Sequence, residues 1–332
     1  MALNVLDFEK PIAELDANIA QLKQVSEQEG VDRSAEIAAL EEHRDRLIAE
    51  IFANLTPWDK TLLARHPNRP YTLDYVRAIF DDFVELHGDR LFADDKAIIG
   101  GFGFLDGKPV MVIGQQKGRD LKERQFRNFG CAKPEGYRKA LRLMKMAEKF
   151  GRPIISFVDT PAADCNFGSE ERGISEAIAR NMREMSVLKV PVIVAVTGEG
   201  GSGGALGIAV GDRILMQEHA IYSVIPPEGC AAILSEFQRD PQRAPEAAEA
   251  MKITAQHCLE YGVLDEIVPE PLGGAHRNYE VAAANVKAAI VRNLAAVEKL
   301  SPKKLVEQRY QKFRRMGVFA VVTESLEAAK AG

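Results

Sequence analysis

Apolar residues recur at spacings of three and four through Phe8, Ile12, Leu15, Ile19, Leu22 and Val25. The pattern breaks at Gly30 and resumes as Ile37, Leu40, Leu47 and Ile51 on a heavily charged segment. That period belongs to amphipathic helices and predicts a helical hairpin over residues 8–55. Such a hairpin cannot bury its apolar stripe alone, so it must rest on the main body or on a partner. A Pro/aromatic stretch (Pro67, Pro70, Tyr71) leads to a helix predicted over 72–86. The pattern then changes to two apolar runs, 97–104 and 109–113, around Asp106-Gly107. This is a strong hairpin signal. Pro134-Glu135-Gly136 opens a helix whose inward stripe is Tyr137, Leu141, Met144 and Ala147.

Two later segments echo each other: GRPIISFVDT at 151–160 and KVPVIVAVTG at 189–198. Each reads as a buried strand that enters a loop and then a helix. The helix after the first spans 170–187, with Ile174, Ile178, Met182 and Met185 facing inward. The second strand is expected to stop at Gly198. Short strands follow at 213–216 and 221–225, a helix starts at Pro226-Pro227-Glu228-Gly229, and a strand at 264–268 closes the core. From about residue 278 the chain reads as helices ending in a floppy Ala/Lys/Gly tail. Repeated strand–strand–helix units with glycine-rich turns favour a layered α/β spiral over an ordinary doubly wound sheet. The expected division is a helical hairpin at 1–56, a main domain at 57–300, and a C-terminal helix and tail at 301–332.

Composition narrows the class without choosing a function. Of 332 residues, 46% are hydrophobic and 27% charged, which is ordinary for a globular chain. The formal charge of −5 gives no pull toward nucleic acid or an anionic membrane. No apolar run reaches transmembrane length and the N-terminus does not read as a signal peptide. The four cysteines, Cys131, Cys165, Cys230 and Cys258, are widely spaced with no C-x-x-C pair. That spacing provides no structural zinc site and fits a reduced, cytoplasmic setting.

The candidate chemistry concentrates after the second strand. Six of the ten residues from 198 to 207 are glycine. Gly198, Gly200 and Gly203 fit a dinucleotide fingerprint, with Glu218 downstream, but the following helix is too short. Gly200-Gly201-Ser202-Gly203-Gly204 fits a nucleophile elbow, with His219 or His276 as candidate bases. That reading needs the strand to run straight into Ser202, and two extra residues are expected to intervene. The third reading is an oxyanion hole built from bare backbone N–H groups, with Ser202 merely turning the chain. Close packing alone is expected to need fewer glycines than this.

Longer motifs carry a resemblance. They are QKGR (116–119), NFG (128–130), PEGYRKALRLM (134–144), EERG (170–173), SEAIARN (175–181), GEGGSGGALG (198–207), PEGCA (227–231) and EPLGGAHRN (270–278). Together they resemble the carboxyltransferase alpha subunit of bacterial-type acetyl-CoA carboxylase across nearly the whole chain. The resemblance implies a crotonase-type (ClpP/crotonase-like) ββα spiral with an N-terminal helical hairpin and C-terminal helices. It implies an alpha2beta2 heterotetramer with a carboxyltransferase beta subunit, working with biotin carboxylase and biotin carboxyl carrier protein. The implied reaction moves a carboxyl group from carboxybiotin on the carrier to acetyl-CoA, giving malonyl-CoA for fatty acid synthesis. Zinc is expected on the beta partner alone. The resemblance puts the biotin ureido oxygen against the backbone N–H groups of Gly203 and Gly204. Gly200, Gly201 and Ala205, Lys117 and Arg119, and Glu228 and Gly229 are the associated substrate-binding candidates.

The sequence departs from that family at two loops. Residues 159–166, DTPAADCN, stand where the family usually reads Asp-Thr-Pro-Gly-Ala-Tyr-Pro-Gly, and Gln115 replaces a usual His. Asp164 in place of an aromatic would repel an anionic substrate unless it is paired. A divergent relative acting on another acyl-CoA, a Ser202 hydrolase and a non-catalytic scaffold are the alternatives.

Overall fold

The structure is a computed structural model that describes residues 5–317. Its centre is an eight-stranded mixed sheet. The strands are β1 (Asp81–Glu85), β2 (Ile98–Leu105), β3 (Lys108–Gln115), β4 (Ile154–Thr160), β5 (Val192–Gly201), β6 (Arg213–Gln217), β7 (Ile221–Ser223) and β8 (Glu266–Val268). They lie in the order β1-β2-β3-β4-β5-β6-β8. The first three are antiparallel and the rest parallel. β5 forks the sheet: Ile193–Val196 pair with β6, whereas Glu199–Gly201 pair with β7.

Around the sheet run α1 (Lys10–Glu29), α2 (Ser34–Ala53), α3 (Pro57–Ala64), α4 (Thr72–Ile79), α5 (Leu121–Phe126), α6 (Pro134–Lys149), α7 (Phe167–Glu171), α8 (Ile174–Ser186), α9 (Ser202–Leu206), α10 (Pro227–Ile233), α11 (Ala244–Met251), α12 (Ala255–Glu260), α13 (Tyr279–Val297) and α14 (Pro302–Arg314). Every residue of β4 and β5 is buried. Both read as continuous apolar runs because both of their faces are covered. On one face Ile154, Val158, Val192, Val194 and Val196 meet Tyr137, Leu143 and Met144 of α6 and Met185 of α8. On the other, Ile155, Phe157, Ile193 and Ala195 meet Tyr75 and Ile79 of α4 and Val286, Ile290 and Leu294 of α13. Each such side chain contributes about 1.5–3 kcal/mol by leaving water.

Several elements differ from their sequence patterns. The helix predicted over 72–86 ends at Ile79, and Phe80 is already extended at φ −116° and ψ 139°. The rest becomes edge strand β1, which reaches β2 closely because a Cβ on Gly101 would overlap the Val84 carbonyl. The helix predicted over 170–187 is broken by Gly173 at φ 77° into α7 and α8. The strands predicted at 221–225 and 264–268 shorten to β7 and β8. The hairpin α1–α2 docks by its base: Ile12, Ile19 and Ile48 are buried, and Arg277 Nη2 reaches Asp16 Oδ2 at 2.6 Å. The Ala/Lys/Gly tail lies outside the described residues.

The C-terminal helix is fastened by Arg309 on α14, which is 1% exposed. Its guanidinium donates to both oxygens of Asp212, at 2.9 and 2.7 Å. It also donates to the carbonyls of Met185, Leu188 and Val190. Asp212 in turn accepts from the N–H of Val192 at the start of β5. Removing one partner of such a pair strands a buried charge, at about 3–5 kcal/mol. Arg309→Met is expected to lower stability by that amount in urea unfolding, and adding Asp212→Asn should recover part of it. A loss below about 1 kcal/mol in the single variant would show that α14 is not held this way.

Candidate functional site

The glycine run is the floor of the site. β5 does not stop at Gly198, as its apolar pattern predicts; it continues beside β4 and β7 to Gly201. The reason is lateral space. A Cβ on Gly198 would overlap the Asp159 carboxylate, on Gly200 the Tyr222 ring, and on Gly201 the Pro161 carbonyl oxygen. On Gly204 it would sit 2.5 Å from the Ala162 carbonyl carbon and the Ala163 nitrogen, and on Gly207 2.6 Å from the Tyr137 ring. Gly203 alone has room, with Ile178 Cδ1 at 3.7 Å. Close packing therefore accounts for five of the six glycines, more than the sequence pattern led us to expect.

The strand runs directly into Ser202, whose φ is 55°. This corrects the expected two-residue interruption and gives the strand–turn–helix geometry of an elbow. Among the described residues, no imidazole or carboxylate hydrogen-bonds the Ser202 hydroxyl. His219 lies instead against Phe52, with ring centroids 5.5 Å apart, and His276 against Glu9 at 2.8 Å.

The five-residue helix α9 begins at that turn. The Gly207 N–H donates to Gly203 O at 3.0 Å. The Gly203–Gly204 peptide is thereby aligned with the helix, and the Gly204 N–H points out of its N-terminal end. The Gly204 carbonyl accepts from Gln115 Nε2 at 2.8 Å and Tyr137 OH at 3.1 Å. Asn181 Nδ2 holds the Gly207 carbonyl at 3.0 Å. Ala205 is wholly buried, so its methyl packs inward.

A chain of charges flanks this floor. Lys117 Nζ lies 2.8 Å from both Asp159 Oδ1 and Glu199 Oε2. Arg65 Nε reaches Glu199 Oε1 at 2.7 Å, and its Nη1 reaches Glu228 Oε1 at 2.5 Å. Burial opposes the Lys117 charge, but Asp159 and Glu199 outweigh it and raise its pKa. Burial likewise opposes the Glu199 charge, and Lys117 and Arg65 overcome it, lowering its pKa. A cavity of about 180 Å³ opens over Arg65, Lys117, Glu199 and Pro161, with Arg124 and Phe129 on its wall.

The sequence-predicted cations are thus already engaged. Lys117 is no solvated loop charge, since its carboxylate partners are inside the protein. Arg119 pairs with Asp74, donates to Pro67 O at 2.9 Å and Arg69 O at 3.2 Å, and stacks over Tyr71. Gly229 packs with Ile225, its Cβ position 3.1 Å from Ile225 Cγ1. Asp164 is 6% exposed and accepts from Ser169 Oγ, Asn128 Nδ2 and Asn166 Nδ2. Burial opposes its charge, but these bonds prevail and lower its pKa. The three donors are uncharged, so the carboxylate keeps its negative charge while it shapes its own loop. Sequence reasoning missed Arg65, Asp159 and Tyr137 as parts of the site. Glu199, an acid inside a glycine run, was the visible signal.

A separate cluster joins Glu9, His66 and His276, with candidate ligand atoms within 4.8 Å of one another. The Asn68 N–H donates to His66 Nδ1 at 3.1 Å. That bond holds the ring so that Nε2 faces Glu9 Oε2, 3.9 Å away. The cluster fits a hydrogen-bonded latch at the base of the hairpin.

The mixed sheet, the forked β5 and its helix-opening turn define the carboxyltransferase, crotonase-like fold class. Solved relatives share it: a transcarboxylase 12S with hydrolysed methylmalonyl-coenzyme A bound (TM-score 0.54, 19% identity, 69% of this chain and 42% of that one). Another is a Pseudomonas malonate decarboxylase heterodimer (TM-score 0.51, 17% identity, 66% of this chain and 90% of that one). The acetyl co-enzyme A carboxylase carboxyltransferase-like family matches residues 5–317. The alpha subunits of acetyl-coenzyme A carboxylase carboxyl transferase from Geobacter metallireducens and Klebsiella pneumoniae are 58% and 57% identical to this chain. The first alignment spans 95% of this chain and 98% of the relative, the second 96% and 99%. This chain belongs to that family and has its function, the alpha part of the biotin-dependent carboxyltransferase of a multi-subunit acetyl-CoA carboxylase. No helix among the described residues is long and apolar enough to cross a membrane.

Beneath the glycine strand, buried Arg69 donates to Thr197 O at 2.7 Å and grips Glu270 through Nη1 at 2.9 Å and Nη2 at 2.5 Å. Burial pushes the Glu270 pKa up, but Arg69 outweighs it and holds it at about 2. A depressed carboxylate contributes stability above its unfolded pKa, about 4.3, and loses it as pH falls through the folded value. Stability is therefore expected to fall as pH drops from about 4.3 toward about 2, with Glu270→Gln flattening that limb. An unchanged acid limb in the variant would remove Glu270 from this role.

Proposed function

We propose that this chain supplies one oxyanion site for carboxyl transfer from carboxybiotin, tethered to a carrier protein, to acetyl-CoA, forming malonyl-CoA. The observation that carries the reading is the turn at Ser202. It opens α9 so that the Gly203 and Gly204 N–H groups have no intrahelical partner, four and five residues after Glu199, whose paired side chain lines the charged cavity. Carboxyl transfer leaves negative charge on the biotin ureido oxygen and on the thioester enolate, and each needs preorganised donors. Gly203 and Gly204 face the ureido oxygen; Gly200, Gly201 and Ala205 hold the turn in place. Lys117 lines the cavity, Glu228 is joined to it through Arg65, and Gly229 follows Glu228 in α10. Arg119 stands apart from the cavity, at α4. The second oxyanion site comes from a beta-type subunit that also carries the zinc, in an alpha2beta2 assembly served by biotin carboxylase and the carrier protein in the cytoplasm. The released biotin anion accepts the substrate proton, so the loop needs no acid or base of its own. The hydrolase reading keeps one favourable observation, the elbow geometry of Ser202; labelling of that residue by a fluorophosphonate probe would support it.

The purified chain is expected to be inactive alone and active with a beta-type subunit; robust transfer by the single chain would overturn the reading. In the assembled enzyme, Gly204→Val is expected to lower turnover about a hundredfold or more, the scale of one lost oxyanion donor. Ser202→Ala should stay within a few-fold of the parent. Loss of turnover in Ser202→Ala, with Gly204→Val active, would reverse the assignment.

A further inference from the structure

We infer that Gln115 is the positioning residue of the oxyanion loop, and that it acts through the Gly204 carbonyl and the Asp159 backbone. The inference rests on the oxyanion reading and names what holds that loop in register.

Gln115 is the last residue of β3, and its side chain is fully buried. Its amide is used at both ends. Nε2 donates to Gly204 O at 2.8 Å, and Oε1 accepts from the Asp159 N–H at 3.1 Å. Its own carbonyl accepts from Thr72 Oγ1 on α4, so its backbone is fixed as well. The side chain thus ties the turn after β5 to the end of β4 across the sheet. Asp159 is the residue that receives the Glu199 N–H at 3.0 Å and pairs with Lys117. One amide therefore joins the glycine loop to the charged wall of the cavity.

The loop needs such a brace. α9 is a five-residue helix, too short to set its own direction by helical bonding. It starts from a residue in the left-handed region, Ser202 at φ 55°, which adds strain at the turn. Two side-chain donors, Gln115 and Tyr137, converge on the Gly204 carbonyl. They fix the Gly204–Ala205 peptide, and through it the tilt of the Gly204 and Gly203 N–H groups on the two peptides before it. An amide suits the position chemically. It offers a donor and an acceptor at once without a charge, in a place where an added carboxylate would face a carbonyl oxygen.

The experiment uses the enzyme assembled with its beta-type subunit and compares Gln115→Met, Gln115→Glu and Tyr137→Phe. Turnover, KM for acetyl-CoA and hydrogen exchange of a peptide covering 200–208 are measured for each. Gln115→Met, which keeps the length and loses both bonds, is expected to lower kcat about tenfold or more with KM within about twofold, and to speed exchange in that peptide. Gln115→Glu must be protonated to donate to Gly204 O. Its kcat should recover at low pH and fall as pH rises, a limb absent from the parent and from the Met variant. Tyr137→Phe, a milder change that retains the ring, should show a smaller effect of the same kind. The double variant should depart from the product of the two single effects, because both act on one carbonyl.

The results separate the two claims. Faster exchange with kcat unchanged would confirm the brace and count against the loop's catalytic role. Unchanged exchange in Gln115→Met, or a loss confined to KM, would overturn the positioning assignment. If Gln115→Met fails to assemble, Tyr137→Phe and the pH profile of Gln115→Glu decide by the same criteria.

Discussion

The structure depends on a contact between two backbones. The tail of β5 lies so close to the loop leaving β4 that Gly201 faces the Pro161 carbonyl, and Gly204 the Ala162–Ala163 peptide, with no room for a methyl group. Side-chain packing elsewhere in the core tolerates volume changes by small shifts. A backbone pressed on a backbone does not, because neither side has a rotamer to change. The turn at Ser202 and the start of α9 therefore inherit their position from the sheet. Gly203, the one glycine of the 198–207 run with room around it, is adjacent to the residue that bears the strain.

Around this contact the protein places charges in pairs. Lys117, Asp159, Glu199, Arg65 and Glu228 form one continuous run, and Arg69 with Glu270 forms a second beneath Thr197. Replacing a buried pair by apolar residues often costs little, but removing one partner is expensive, so each pair constrains the loops that supply it. The glycine strand is held from below by Arg69 and from the side by Asp159. Both cations of the first run, Lys117 and Arg65, are thus held by carboxylates rather than left loose. In the family reading, selectivity for the developing oxyanion comes from backbone geometry, which needs no reorganisation at the moment of reaction.

Much of this was legible in the chain. The period-three-and-four stripes marked α1 and α2, and the paired PIISFV and PVIVAV runs marked the two central strands. Asp106-Gly107, both at positive φ, marked the β2–β3 turn. What escaped was set by tertiary contact. Nothing local separates residues 81–85 from a continuing helix; pairing with Gly101, Phe102 and Phe104 makes them a strand. The glycines after Gly198 look like a loop because glycine has low strand propensity. They become strand because Asp159, Tyr222 and Pro161 leave no space for anything else. The long motifs identified the family without showing that Lys117 is neutralised, that Asp164 shapes its own loop, or that Gln115 spans the site. Those facts join residues that lie 82, 5 and 89 positions from their partners in the chain.

The central claim is that the backbone N–H groups of Gly203 and Gly204 do chemical work, and the most direct measurement removes one of them without adding a side chain. Replacing Gly204 by glycolic acid substitutes an ester oxygen for the amide nitrogen and adds no atom that could strike Ala162 or Ala163. With the assembled enzyme, turnover is predicted to fall about a hundredfold, as expected for one missing oxyanion donor. The KM for acetyl-CoA should change little. Turnover equal to that of the parent would contradict the account, because the Gly204 N–H would then have no part in the reaction.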